Sequence, residues 1–169
     1  MGSNNALVGT WRLVSFELRL KDGTTRHPWG DEVAGQVIYG PDGFMAGSIM
    51  KKGRAAFKAT DVMAGTPQEF EAAMKSYVGY AGPYSVHGNR ILHHAEVSFF
   101  PNWTGTDIER FFDVQGSTLT LSTLPLVFGG VQGTAVLVWE KRAPYSPLAI
   151  YPDEEKYQKQ HEGARPPQR

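Results

Sequence analysis

Apolar and polar positions alternate along most of the chain, and Gly, Asn, Asp and Pro break the alternation at short intervals. Period-two alternation marks strands with one buried face. Leu7 to Leu20 is a long β-rich run that stops at Lys21-Asp22-Gly23. Gly35 to Gly40 and Phe44 to Met50 flank Pro41-Asp42-Gly43 and read as a hairpin. Ala81 to His87, Gly88-Asn89 and Arg90 to Phe100 make a second hairpin. Thr106 to Val114, Gln115-Gly116 and Thr118 to Leu124 make a third, and Gln132 to Arg142 is the last strand. The pattern predicts about eight sequential, mostly meander-connected strands.

One segment has a different period. Thr66-Pro67-Gln68-Glu69 fits a capping box with proline at the first helical position. Phe70, Ala73, Met74, Tyr77 and Val78 then form a single apolar stripe, stopped by Gly79, Gly82 and Pro83. Eight short antiparallel strands expose an edge unless they close on themselves, so the expected fold is all-β: an eight-stranded antiparallel up-and-down barrel. The amphipathic helix is expected to cap one end with its stripe facing the barrel. A two-sheet sandwich is the alternative. A barrel of eight strands either fills with side chains or holds one small ligand.

Face assignment exposes two exceptions. Ile91, His93, Ala95, Val97 and Phe99 share one face of their strand; Ile108, Arg110, Phe112 and Val114 share one face of the next. Both sets are apolar apart from His93 and Arg110, so an imidazole and a guanidinium are expected on the buried face of neighbouring strands. A buried guanidinium needs a carboxylate, water or a ligand oxygen to offset its desolvation. Tyr39 runs in step with Val37, and Tyr84 with Val86, so both phenols are expected to point inward too. Met45, Ile49, Phe112, Leu121, Leu137 and Trp139 would supply apolar wall, joined by Trp103 and, from the helix, Met74. An oily cavity with a few converging polar groups is the usual make-up of a small-molecule site. Each residue has a plainer reading as core histidine, stacked arginine or ordinary strand tyrosine. If the faces are reversed, His94 and Glu96 become the cavity pair.

Composition narrows the field. The chain has 169 residues, enough for one domain with a sizeable core. That domain is placed at 7–142, after a flexible 1–6 and before a proline- and charge-rich extension, 143–169, expected to be mobile from about 153. Lys+Arg and Asp+Glu both number 17, so no net charge draws nucleic acid or anionic lipid. There is no cysteine, which removes disulfides and thiolate chemistry. No run approaches a membrane span or a leader peptide, and the protein is expected in the cytoplasm as a monomer or homodimer. His87, His93 and His94 lack convincing ligand spacing, so no metal is expected.

Several separated motifs resemble one family. They are Leu7-Val8-Gly9-Thr10-Trp11-Arg12-Leu13-Val14-Ser15-Phe16, Gly35 through Tyr39 to Gly43, Tyr80-Ala81-Gly82-Pro83-Tyr84, His93 through Ser98, Pro101-Asn102-Trp103 with Gly105-Thr106, Arg110-Phe111-Phe112, and Leu137-Val138-Trp139-Glu140. In this order, over roughly Leu7 to Arg142, they resemble the small lipocalin-like domain proteins of microbes and fungi. The resemblance implies a calycin-type barrel holding a small hydrophobic molecule, with Trp11 plugging the closed end under a late-strand arginine, Arg142 being the candidate. Some members occur with secondary-metabolite pathways, where such barrels act as cofactor-free cyclases or isomerases. The resulting expectation is a cofactor-free, redox-neutral isomerisation or cyclisation of a polycyclic, polyketide or terpenoid compound. His93 would be the acid/base, Arg110 the oxyanion partner, and Tyr39 or Tyr84 a further donor. The alternative is a non-catalytic carrier or store.

Overall fold

The computed structural model describes residues 6–145. Its elements are β1 (Gly9–Arg19), β2 (Thr25–Arg26), β3 (Val33–Tyr39), β4 (Phe44–Lys51), α1 (Pro67–Lys75), β5 (Tyr77–His87), β6 (Arg90–Ala95), β7 (Val97–Ser98), a 3₁₀ turn (Pro101–Trp103), β8 (Thr106–Gln115), β9 (Thr118–Thr123), β10 (Leu126–Phe128) and β11 (Val131–Lys141). The expectations for the extension beyond 145 and for residues 1–5 lie outside the described residues.

Eight strands form the wall. Antiparallel pairing runs β1-β3-β4-β5-β6-β8-β9-β11, and β11 returns to β1 from Trp11↔Lys141 to Arg19↔Thr134. The sheet is therefore a closed barrel rather than a sandwich, and closure removes the free edges. The short β2, β7 and β10 add to β1, β5 and β11.

Two irregularities shape the interior. The β1–β11 register shifts between Leu13 and Ser15. That bulge reverses the alternation, so Trp11, Leu13, Phe16 and Leu18 are all buried. The second lies in the stretch expected to run unbroken from Arg90 to Phe100. It breaks at Glu96: Tyr84 faces His93, but Tyr80 faces Ser98. There the backbones nearly touch, because a Cβ on Gly82 would stand 1.9 Å from the His94 carbonyl oxygen. Only glycine fits that approach.

The closed end holds the expected plug with a different lid. Trp11 is fully buried and its Nε1 donates to the Leu7 carbonyl at 2.8 Å. The cation above its ring is Lys141, with Nζ 5.0 Å from the centroid. Arg142, the expected candidate, donates instead to Gln36 Oε1. Strand alternation explains the swap: Lys141 is the residue opposite Trp11 in the ladder.

The helix does not do what its stripe implied. The capping box is formed: Glu69 N–H donates to Thr66 Oγ1, and Thr66 N–H to Glu69 Oε2. However, α1 ends at Lys75, and Tyr77 and Val78 begin β5 instead. The β4 ladder wins them, pairing Met50 with Tyr77 and Ile49 with Val78. No helical residue is buried; Phe70 and Met74 remain 42% and 45% exposed. Phe70 packs on Phe57, and the helix is tied to the barrel through Trp29 Nε1, which donates to the Lys75 carbonyl at 2.9 Å. Phe16, Trp29 and Phe128 are packed edge-to-face beside this end, with centroids 5.2–5.6 Å apart. No helix among the described residues is long and apolar enough to cross a membrane.

Candidate functional site

Inside the barrel lies a chamber of about 90 Å³. This is smaller than the ~150 Å³ apolar cavities that take up a benzene ring. The polycyclic compound expected from sequence exceeds it. The wall is mostly apolar: Phe16, Val37, Met45, Ile49, Val78, Leu121, Leu126, Phe128, Ala135, Leu137 and Trp139, with Trp103 contributed by the 3₁₀ turn. Its polar groups come from Tyr80, His93, Arg110, Ser48 and Thr123. Thr123 Oγ1 already accepts from the Ala135 N–H at 3.0 Å. A wider groove of about 600 Å³ is lined by Trp29, Met74, Tyr77 and Phe99, and Val78 and Phe128 border both spaces.

His93 is 1% exposed and projects from β6 between two phenols. Tyr39 Oη lies 2.9 Å from Nε2, and Tyr80 Oη lies 2.9 Å from Nδ1. Burial first, and then the nearby positive charge of Arg110, together push the imidazole pKa down from 6.5 to about 3, so the ring is neutral. A neutral ring has one donor and one acceptor nitrogen. Tyr39 is 1% exposed, its phenol pKa is raised well above 10 by burial, and His93 is its hydrogen-bond partner among the described residues. Its hydroxyl therefore donates to Nε2; otherwise that proton would be buried without an acceptor. Nδ1–H then donates to Tyr80 Oη, which leaves the Tyr80 hydroxyl proton for the chamber.

Arg110, half-buried on β8, borders the same chamber. Its Nη1 donates to the Glu109 carbonyl at 2.8 Å, while the Glu109 carboxylate pairs with Arg90. No carboxylate pairs with Arg110 among the described residues. Its remaining guanidinium donors can meet an oxygen in the chamber. Trp139 Nε1 is the one buried side-chain polar atom without a partner among the described residues, and it is closed off from the open space of the chamber. An unmet buried donor costs about 1–3 kcal/mol. No three His, Asp or Glu side chains there come together as a metal site.

The structure thus brings His93, Arg110, Met45, Ile49, Leu121, Leu137, Trp139 and Trp103 to one chamber. Four expected members stand elsewhere. Tyr84 turns away, its hydroxyl donating to the Gly40 carbonyl at 3.0 Å, because the βturn after β3 presents that acceptor beside it. Tyr39 stands behind His93 rather than on the chamber wall, in edge contact with Tyr84. Phe112 packs against the core away from the void. Met74 lines the wider groove with Trp29, Tyr77 and Phe128 rather than the chamber itself. The reversed-face pair is outside too: Glu96 is exposed, and His94 Nδ1 lies 2.6 Å from Asp107 with Nε2 3.1 Å from Ser85 Oγ. This Ser-His-Asp row lies on the outer wall, where the strand N–H groups are committed to the ladder and offer no oxyanion donors.

Tyr80 is the member sequence reading missed. It keeps step with Gly82, Tyr84 and Val86 along β5, so alternation points it inward. Extending the helical stripe through Val78 hid the start of that strand.

A closed eight-stranded barrel around an apolar chamber with few polar groups is a small-ligand barrel of calycin type. The model of the family described as "Lipocalin-like domain" matches residues 8–142, and the chain belongs to that family. It is 33% identical over 106 residues to the 4'-hydroxy-3'-methoxypropiophenone carrier protein ppsC of Aspergillus oryzae (strain ATCC 42149 / RIB 40), an alignment covering 57% of this chain and 96% of the relative. A solved lipocalin-like protein from Bacteroides uniformis ATCC 8492 is 15% identical, with a TM-score of 0.42 over 81% of this chain and 99% of that one.

Proposed function

We propose that this protein is a carrier for a small, single-ring aromatic compound bearing polar oxygens, of the phenolic ketone type named for its Aspergillus relative. The observation that carries the reading is the apolar chamber with the Tyr80 hydroxyl and the Arg110 guanidinium, which no carboxylate pairs, on its wall; a molecule larger than benzene extends past Val78 and Phe128 into the wider groove. The ring is held by apolar burial, and a phenol oxygen meets Arg110 and Tyr80. His93 serves as an internal brace. Both its nitrogens are spoken for, and with a pKa of about 3 it is a weak base near neutrality, whereas acid/base catalysis works best with a group poised near the working pH.

One observation favours a second reading. The chain Tyr39–His93–Tyr80 is a continuous donor–acceptor path ending at the ligand, and it can pass a proton in a cofactor-free isomerisation. Titration with 4'-hydroxy-3'-methoxypropiophenone, followed by tryptophan quenching, separates these outcomes. One-to-one binding with the compound recovered unchanged supports the carrier. Recovery of an isomer supports catalysis, which His93→Gln should then abolish. No binding, and no organic mass in native mass spectrometry, overturns both.

A further inference from the structure

We propose that the chamber takes its phenol as the phenolate anion, and so selects phenols acidified by a conjugated carbonyl over neutral rings of similar size. This deepens the carrier reading and rests on it. The first observation is charge. The chain carries 17 basic and 17 acidic residues, yet the chamber is lined by Arg110 and by no carboxylate. The wider groove that meets it at Val78 and Phe128 is lined by Arg26, His27 and Lys75, again with no carboxylate. His27 lies 3.5 Å from Asp31, and Lys75 pairs with Glu71. Arg26, like Arg110, has no carboxylate partner among the described residues. The charged side chains bordering the two joined spaces are thus all basic. A concave, low-dielectric surface lined by one sign of charge concentrates ions of the other sign.

The second observation is the direction of the hydrogen bonds. Tyr39 donates to His93 Nε2, and Nδ1–H donates to Tyr80 Oη at 2.9 Å. Tyr80 therefore accepts from behind and donates into the chamber. Bonds running in one sense polarise one another, so the terminal proton is a stronger donor than that of an isolated phenol. Arg110, with Nη1 held by the Glu109 carbonyl, has further N–H groups on the same wall. The titratable and charged groups around the ligand oxygen are Tyr80 of β5, His93 of β6 and Arg110 of β8, with Tyr39 of β3 behind His93. None of them is negative. Hydrogen bonds to an anion are about twice as strong as those between neutral groups, so both donors gain most from a phenolate. Its proton passes to water, because both nitrogens of His93 are engaged. A phenol conjugated to a carbonyl gives up that proton at the least cost.

The test uses the full chain and two probes, 4-nitrophenol, whose phenolate is yellow, and nitrobenzene, which has no proton to lose. Binding of each is read from ¹H–¹⁵N chemical shifts, and ionisation of bound 4-nitrophenol from its visible absorbance against pH. In the wild type the ionisation midpoint should fall by about one pH unit or more on binding, equal to phenolate held at least about tenfold tighter than phenol. Nitrobenzene affinity should stay within about twofold over the same pH range, since it carries no group to ionise. Arg110→Met should return the midpoint of bound 4-nitrophenol to its free value or above, and Tyr80→Phe should lose part of the shift. The wild-type midpoint decides the matter even if a variant folds poorly. A midpoint that is unmoved or raised, a shift that survives Arg110→Met, or uptake of nitrobenzene without 4-nitrophenol would overturn anion selection and leave the carrier reading standing. Failure of both probes to bind the wild type would overturn the two together.

Discussion

The neutral His93 makes the barrel acid-sensitive in a calculable way. In the folded chain its pKa is about 3, held down first by burial and then by the charge of Arg110; in the unfolded chain the ordinary value is 6.5. Above 6.5 neither state protonates the ring, and stability is unaffected by it. Between 6.5 and 3 the unfolded chain binds a proton that the folded chain refuses, so stability falls as pH falls. The whole interval corresponds to roughly 5 kcal/mol, of which roughly 2 kcal/mol is already lost at pH 5. With a urea dependence of about 2 kcal/mol per molar, the wild-type midpoint should drop by about 1 M between pH 7.5 and pH 5 on this account alone. The comparison is with His93→Gln, which keeps a donor and an acceptor between the two tyrosines and has nothing to titrate. Urea melts followed by circular dichroism at both pH values give the difference, with other titrating groups common to both proteins. If the two midpoints fall in parallel, His93 is not held neutral by the fold, and the argued direction of the Tyr39–His93–Tyr80 hydrogen bonds falls with it.

Three other perturbations have defined outcomes. Arg110→Met removes a cation that depresses the His93 pKa, so the imidazole should titrate at higher pH in an NMR titration; an unchanged midpoint would mean the guanidinium does not face that ring. Gly82→Ala puts a Cβ against the His94 carbonyl and should cost at least about 2 kcal/mol in urea unfolding, and a neutral result would contradict the close crossing at Glu96. Thr66→Ala removes the helix cap and should cost about 1 kcal/mol locally, read as faster amide exchange over 67–75, and unchanged exchange there would mean the capping box does not hold the first turn.

Most of the barrel was readable because closure and alternation are properties of the pattern itself. Turn residues delimit the eight wall strands, and a strand with one buried face must alternate. The same rule put His93 and Arg110 on the inner face, since each interrupts an otherwise apolar set. What alternation cannot see is where it resets. The bulge in β1 and the break at Glu96 change register by pairing rather than by composition, and neither has a strong local signature. The helix misled for a related reason: Tyr77 and Val78 fit a helical stripe as well as a strand, and the ladder with β4 decides between them only in three dimensions. That error displaced the start of β5 and hid Tyr80, while Met74 lines the wider groove instead of the chamber. Tyr84 failed differently. Its parity is right, but a nearby carbonyl at Gly40 captures its hydroxyl, and hydrogen-bond capture leaves no trace in periodicity.

The polar groups inside the barrel divide by what already satisfies them, and the division separates scaffold from recognition. Tyr39 and His93 satisfy one another in full burial, so they hold two strands, β3 and β6, at a fixed distance and gain nothing from a ligand. The Tyr80 hydroxyl proton and the free side of Arg110 have capacity left over, and both residues border the void. A chamber whose spare donors are fixed by strands of a closed barrel loses little entropy when it binds, because the donors are oriented beforehand. It also has no spare acceptor carboxylate among those donors, so an amine or other cation entering the chamber would meet Arg110 with no counter-charge. On the proposed carrier reading, selection acts in two ways: oxygen-bearing aromatic molecules gain hydrogen bonds, and cationic ones of the same size are repelled.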